Sequence, residues 1–110
     1  MKVSIGNAER EVKFNFNVIS FFCRLNRVPF TELLKLVAYD PIGLTRDMVY
    51  SSLKVYPDNN PEHFNVLMVG DWLEDITDPE MNDLQLELIK ALGLNEGKEN
   101  GQVKKKMIKK

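Results

Sequence analysis

Lys2-Val3-Ser4-Ile5-Gly6-Asn7-Ala8-Glu9-Arg10-Glu11-Val12-Lys13-Phe14-Asn15-Phe16 decides the fold class. Val3 and Ile5 alternate with Lys2 and Ser4. Val12, Phe14 and Phe16 alternate with Glu11, Lys13 and Asn15, and Gly6-Asn7-Ala8-Glu9 between the two runs carries a turn signal. Successive side chains of a strand point to opposite faces, so two alternating runs about a Gly-Asn pair predict a β-hairpin with one apolar face. A lone hairpin is marginal in water. Its apolar face needs a cover, and the rest of the chain supplies helices for it.

Working outward, Asn15 or Asn17 can cap a helix through Ile19, Phe22, Leu25 and Asn26 that ends before Val28-Pro29. A short helix from about Phe30 carries Leu33, Leu34 and Val37 and stops at Asp40-Pro41 and Gly43. Thr45 is the expected N-cap of a third helix with Met48, Val49, Leu53 and Tyr56 as its apolar positions. Pro57-Asp58-Asn59-Asn60-Pro61 is a loop, and Asn60-Pro61 supplies the N-cap and first position of a fourth helix. Phe64, Leu67, Met68, Trp72 and Leu73 fall on one face of that helix at 3.6-residue spacing. Thr77 and Glu80 have capping-box spacing, and Met81, Leu84, Leu88 and Leu92 line the last helix before a Gly93 stop. The expected architecture is α+β and mostly α: an N-terminal β-hairpin followed by about five short helices. Residues 1–94 form the one domain, and 95–110 are expected to be a flexible, lysine-rich tail.

The chain has 110 residues, which is room for one core, and its 44% hydrophobic and 28% charged composition is that of a globular protein. No apolar run reaches the roughly 18 residues of a membrane span, and Met1-Lys2-Val3-Ser4 has no signal-peptide apolar block. The single Cys23 excludes an internal disulfide and a multi-cysteine metal site. These features point to a soluble intracellular domain. Its net charge of −1 is a cancellation: residues 95–110 carry +4 and residues 1–94 carry −5. Between Lys54 and Lys90 there are nine acids and no Lys or Arg. Such blocks bear on partners more than on fold.

Several side chains have chemical potential and a plainer alternative. A nucleophilic Cys23 needs an adjacent base, and the only histidine, His63, belongs to another helix; the preferred reading of Cys23 is a small core side chain. His63 with Glu62, Asp58 or Asp71 lacks metal-ligand spacing. Asp71, Glu74, Asp75 and Asp78 would form a carboxylate ridge if their helix persisted, although Thr77-Asp78-Pro79 breaks it. No Gly-rich phosphate loop is present. Val103-Lys104-Lys105-Lys106-Met107-Ile108-Lys109-Lys110 is the one stretch with affinity for phosphates, and it lacks aromatic interleaving and a reader motif. No cofactor, metal or catalytic group is assigned.

The order of these elements resembles the tail assembly chaperones of long-tailed bacteriophages and prophages. The resemblance rests on Lys2-Val3-Ser4-Ile5-Gly6-Asn7, Glu11-Val12-Lys13-Phe14-Asn15-Phe16 and Val18-Ile19-Ser20-Phe21-Phe22. It continues through Phe30-Thr31-Glu32-Leu33-Leu34, Asp40-Pro41, Leu44–Leu53 and Trp72-Leu73, covering about residues 1–93. It implies a non-enzymatic protein of the bacterial host cytoplasm that binds the tape-measure protein, shields its apolar helices and helps recruit tail tube subunits. A second, frameshift-extended form is common in the family. Phe64, Leu67, Met68, Trp72 and Met81 are the candidate groove residues, with the acidic 58–87 segment as rim. Self-association is left open. The alternative is a small nucleic-acid-associated regulator acting through the lysine tail.

Overall fold

A computed structural model describes residues 1–94. Strands β1 (Lys2–Ile5) and β2 (Ala8–Glu11) are followed by helices α1 (Phe16–Asn26), α2 (Phe30–Tyr39), α3 (Pro41–Val55), α4 (Val66–Leu73) and α5 (Asp78–Ala91). The fold is α+β and mostly α, as the alternation and helical periodicities predict. The tail expected at 95–110 lies outside the described residues.

The hairpin differs from expectation in its second strand. β1 and β2 pair antiparallel with Ile5 opposite Ala8 and Val3 opposite Arg10. The loop is therefore only Gly6-Asn7, with φ of 62° and 63°. Both are positive, as the tight turn matching strand twist demands. β2 begins four residues before Val12, the first apolar residue of the Val12-Phe14-Phe16 alternation, and ends at Glu11. Phe16, expected on the apolar face, instead opens α1 and is 84% exposed. Val3, Ile5 and Val12 do point inward and are fully buried.

Arg10 shares their face and is only 3% exposed. Its guanidinium donates to the carbonyls of Ile5 and Gly6 and, at 2.8 Å, of Asn59 in the loop after α3. Its Nε has no acceptor among the described residues. The guanidinium lies 4.4 Å from the centroid of the Trp72 ring on α4, a desolvated cation–π contact. Trp72 stacks on Phe64 with centroids 5.6 Å apart, and Phe64 on Tyr50 of α3 at 5.3 Å. A row of π-contacts thus ties the hairpin to the helices.

Helix α3 is the spine. Val49 and Leu53 join the hairpin residues, Val69, Leu73 and Leu84 in one core cluster. Leu44 and Met48 join Val18, Phe22, Leu33, Leu88 and Leu92 in the second. A helix buried on two sides needs small polar residues that satisfy themselves. Thr45 Oγ1 donates to the Pro41 carbonyl at 2.7 Å and Ser51 Oγ to that of Asp47 at 2.8 Å, while Ser52 Oγ accepts from the Lys13 amide at 2.8 Å.

Two helix starts correct the sequence reading. Asp40 ends α2, as expected, and also caps α3 by accepting from the Gly43 amide at 3.0 Å, with Pro41 in the first turn. Thr45 lies one turn inside the helix and is buried. Asn65, rather than Asn60, caps α4 by accepting from the Met68 amide at 3.0 Å. Glu62 and His63 form a turn before α4, with His63 at φ 62°. Thr77 caps α5 as expected, accepting from the Glu80 amide at 3.3 Å. At the other end Gly93 (φ 75°) donates to the Lys90 carbonyl and Leu94 to that of Ile89, at 3.0 and 3.1 Å. That pair of bonds is a Schellman stop.

A Cβ on Gly6 would stand 2.4 Å from Trp72 Cε2. Gly6→Ala therefore costs about 2–4 kcal/mol, combining overpacking with a left-handed φ. Arg10→Lys removes the fork that reaches three carbonyls and costs about 2–3 kcal/mol. Urea unfolding followed by Trp72 fluorescence measures both losses.

Candidate functional site

Three helical faces converge on a cleft of about 660 Å³. Ile42, Thr45 and Arg46 line it from α3, at i, i+3 and i+4. Leu67, Gly70, Asp71 and Glu74 line it from α4, at i, i+3, i+4 and i+7, and Met81 and Gln85 from α5. Apolar atoms dominate the lining. Ile42 is 80% and Leu67 69% exposed, although each borders a surface where burial would stabilise it by about 1.5–3 kcal/mol. A second hollow, lined by Val37, Pro41, Leu44, Leu88 and Ile89, shares Thr45 and Gln85 with the first. The polar Thr45 and Gln85 stand on the border between the two. The opening exists because α5 meets α3 far more sparingly than α1 or α4 does.

The cleft is electrostatically one-sided. Asp71 and Glu74 stand exposed on its α4 wall. On the opposite wall, Arg46 Nε is engaged by Asp47 Oδ1 at 2.8 Å. Acidic groups near the C-terminal end of α4 oppose the helix dipole by roughly 0.3–1 kcal/mol each, so their placement does not serve the helix. The longer carboxylate ridge is interrupted, since α4 ends at Leu73 and Asp78 opens α5.

The five candidate groove residues separate. Leu67 and Met81 line the cleft. Phe64 precedes α4 and stacks with Trp72 on the hairpin side, in the first core cluster. Met68 is half-buried and does not line the cleft. Val69 and Leu73 are the buried face of α4. Ile42, Arg46 and Gln85 were missed. The signal that finds Ile42 is Asp40-Pro41 read as a helix start, which puts 42, 45 and 46 on one face.

Cys23 lines a different hollow, with Phe16, Ile19 and Phe30. Burial raises its thiol pKa. His63 stands exposed before α4, its Nε2 4.0 Å from a Glu62 carboxylate oxygen. The two are not brought together. Among the described residues no group of three or more His, Cys, Asp or Glu is placed to hold a metal ion, and no helix is long and apolar enough to cross a membrane.

A scan against protein-family models, a search of curated proteins and a search of solved structures each find no match.

The geometry separates core from cleft energetically. Trp72→Ala should cost about 3–5 kcal/mol, whereas Leu67→Ala, at an exposed site, should stay within about 0.5 kcal/mol of the parent. Parallel urea titrations give both values. Cys23 should react with iodoacetamide at pH 8 more slowly in the folded chain than in urea, because a raised thiol pKa leaves less thiolate. Equal rates would contradict the burial assigned to it.

Proposed function

We propose that this chain is a non-enzymatic tail assembly chaperone of a long-tailed bacteriophage or prophage, which holds an amphipathic helix of the tape-measure protein in the α3–α4–α5 cleft and assists tail tube assembly in the host cytoplasm. The observation that carries this reading is the cleft itself: an apolar trough flanked by the exposed Ile42 and Leu67, with Asp71 and Glu74 on one wall. Helix-in-groove recognition needs such a trough for residues spaced i, i+3, i+4 and i+7 on the partner. The carboxylates favour a partner with Lys or Arg beside its apolar stripe and keep the complex soluble. The resemblance of residues 1–93 to the chaperone family supplies the partner's identity. A role for the lysine tail in nucleic-acid binding concerns residues outside those described.

Co-expression with the tape-measure protein encoded nearby tests this. Ile42→Asp and Leu67→Asp should each reduce the co-purified partner about tenfold or more while leaving the fold intact. Leu25→Asp, on exposed α1 surface bordering another hollow, should leave it unchanged. Full recovery with both cleft variants would remove the cleft from the binding surface.

A further inference from the structure

We infer that Gly70 is the floor of a specificity pocket in the α3–α4–α5 cleft, which admits one long basic side chain, Arg or Lys, from the middle of the partner helix's apolar stripe. The inference rests on the proposed reading of the cleft as a helix-binding site and names the partner residue that decides recognition there.

The fold explains the other glycines of residues 1–94. Gly6 and Gly93 have φ of 62° and 75°, and a Cβ on Gly6 would also overlap the Trp72 ring. A Cβ on Gly43 would overlap the Asp40 carboxylate that caps α3. Gly70 has neither reason. It sits inside α4 without a positive φ, and the nearest atom that a Cβ would meet is Cδ of Arg46 at 3.3 Å. That atom belongs to a flexible, partly exposed side chain, which can yield by the few tenths of an ångström required. A glycine in a helix interior lowers the folding constant about two- to fivefold relative to alanine, and α4 gains nothing from it. Gly70 is also the one described glycine that lines the cleft. The missing side chain therefore serves the cleft.

What the gap admits follows from its surroundings. Leu67, one turn before it, and Ile42 on α3 are apolar and exposed. Asp71 and Glu74, at i+1 and i+4 from Gly70, put exposed carboxylates on the same wall. A side chain that lies on this floor and ends at those carboxylates needs an apolar stem and a cationic head, which Arg and Lys alone combine. Arg46 on the opposite wall does not compete for them, because its Nε is engaged by Asp47 Oδ1 at 2.8 Å.

The test uses the full chain and two probes. One is the co-expressed tape-measure protein. The other is a synthetic amphipathic helix of Ala, Leu and Gln whose apolar stripe carries one central Arg, with a twin peptide carrying Gln there. By fluorescence anisotropy the parent should bind the Arg peptide about tenfold more tightly than its twin, as a hydrogen bond to a charged group predicts. Gly70→Leu should abolish that preference, and Asp71→Asn/Glu74→Gln should reduce it about threefold or more. Gly70→Ala should recover about tenfold less tape-measure protein than the parent, while its folding constant in urea titration rises about two- to fivefold. A less stable Gly70→Ala chain would overturn the proposal, because the glycine would then serve α4. So would a parent that does not distinguish the two peptides, or an Arg preference that survives in Gly70→Leu. Tape-measure protein recovered alike by the parent and Gly70→Leu would overturn the pocket and leave the chaperone reading standing. A peptide preference lost in Gly70→Leu, with no tape-measure protein recovered by the parent, would instead remove the chaperone reading and leave the pocket standing.

Discussion

The buried Arg10 guanidinium ties three separate parts of the chain to one point: the hairpin, the segment after α3, and α4. A charge 3% exposed needs compensation, and its oxygen partners are carbonyls, from Ile5, Gly6 and the distant Asn59. Its flat face is taken by Trp72. That one side chain therefore fixes the hairpin loop, the segment after α3 and the first aromatic in the Trp72–Phe64–Tyr50 stack. Asp58 adds a second tie beside it, accepting from the Glu11 amide at 2.6 Å. A hairpin of two four-residue strands would not hold its shape in water; here polar bonds lock it to helices that also cover its apolar face.

With the hairpin occupying one side of α3, the remaining helices divide the rest. α1 and α2 cover the second cluster, and α5 serves both clusters through Leu84 on one side and Leu88 and Leu92 on the other. An element shared in this way packs closely at its buried stripe and diverges elsewhere. The divergence from α3 is the cleft. Its lining therefore follows from the same arrangement that builds the core, and its polarity comes from residues that the core does not use.

What could be read from the chain itself was the physics that repeats. Alternation marked the hairpin, and 3.6-residue spacing marked Leu84, Leu88 and Leu92. The inward-facing Arg10 was not legible, because a charged residue in a strand is read as pointing outward until its partners, 49 residues away in the case of Asn59, are in view. Asp40-Pro41 is at once the stop of α2 and the start of α3, and the local sequence signals the first more plainly than the second. Reading the stop alone leaves Ile42 and the α3 wall of the cleft out of view. Trp72 and Leu67 share an apolar helical segment, yet one faces the hairpin and the other the cleft. Periodicity identifies apolar positions but not which of two neighbours each will meet.

The order of synthesis gives the Arg10 clasp another aspect. Residues 2–11 are made first, yet Asn59 and Trp72 follow Arg10 by 49 and 62 residues. At about 5–20 residues per second the hairpin segment waits roughly 3–12 s for its partners. Through that interval Val3, Ile5 and Val12 lack the part of their cover that comes from α4 and α5, and Arg10 lacks Asn59 and Trp72. The complete Arg10 clasp is thus a late event in the life of the nascent chain, no earlier than the synthesis of α4.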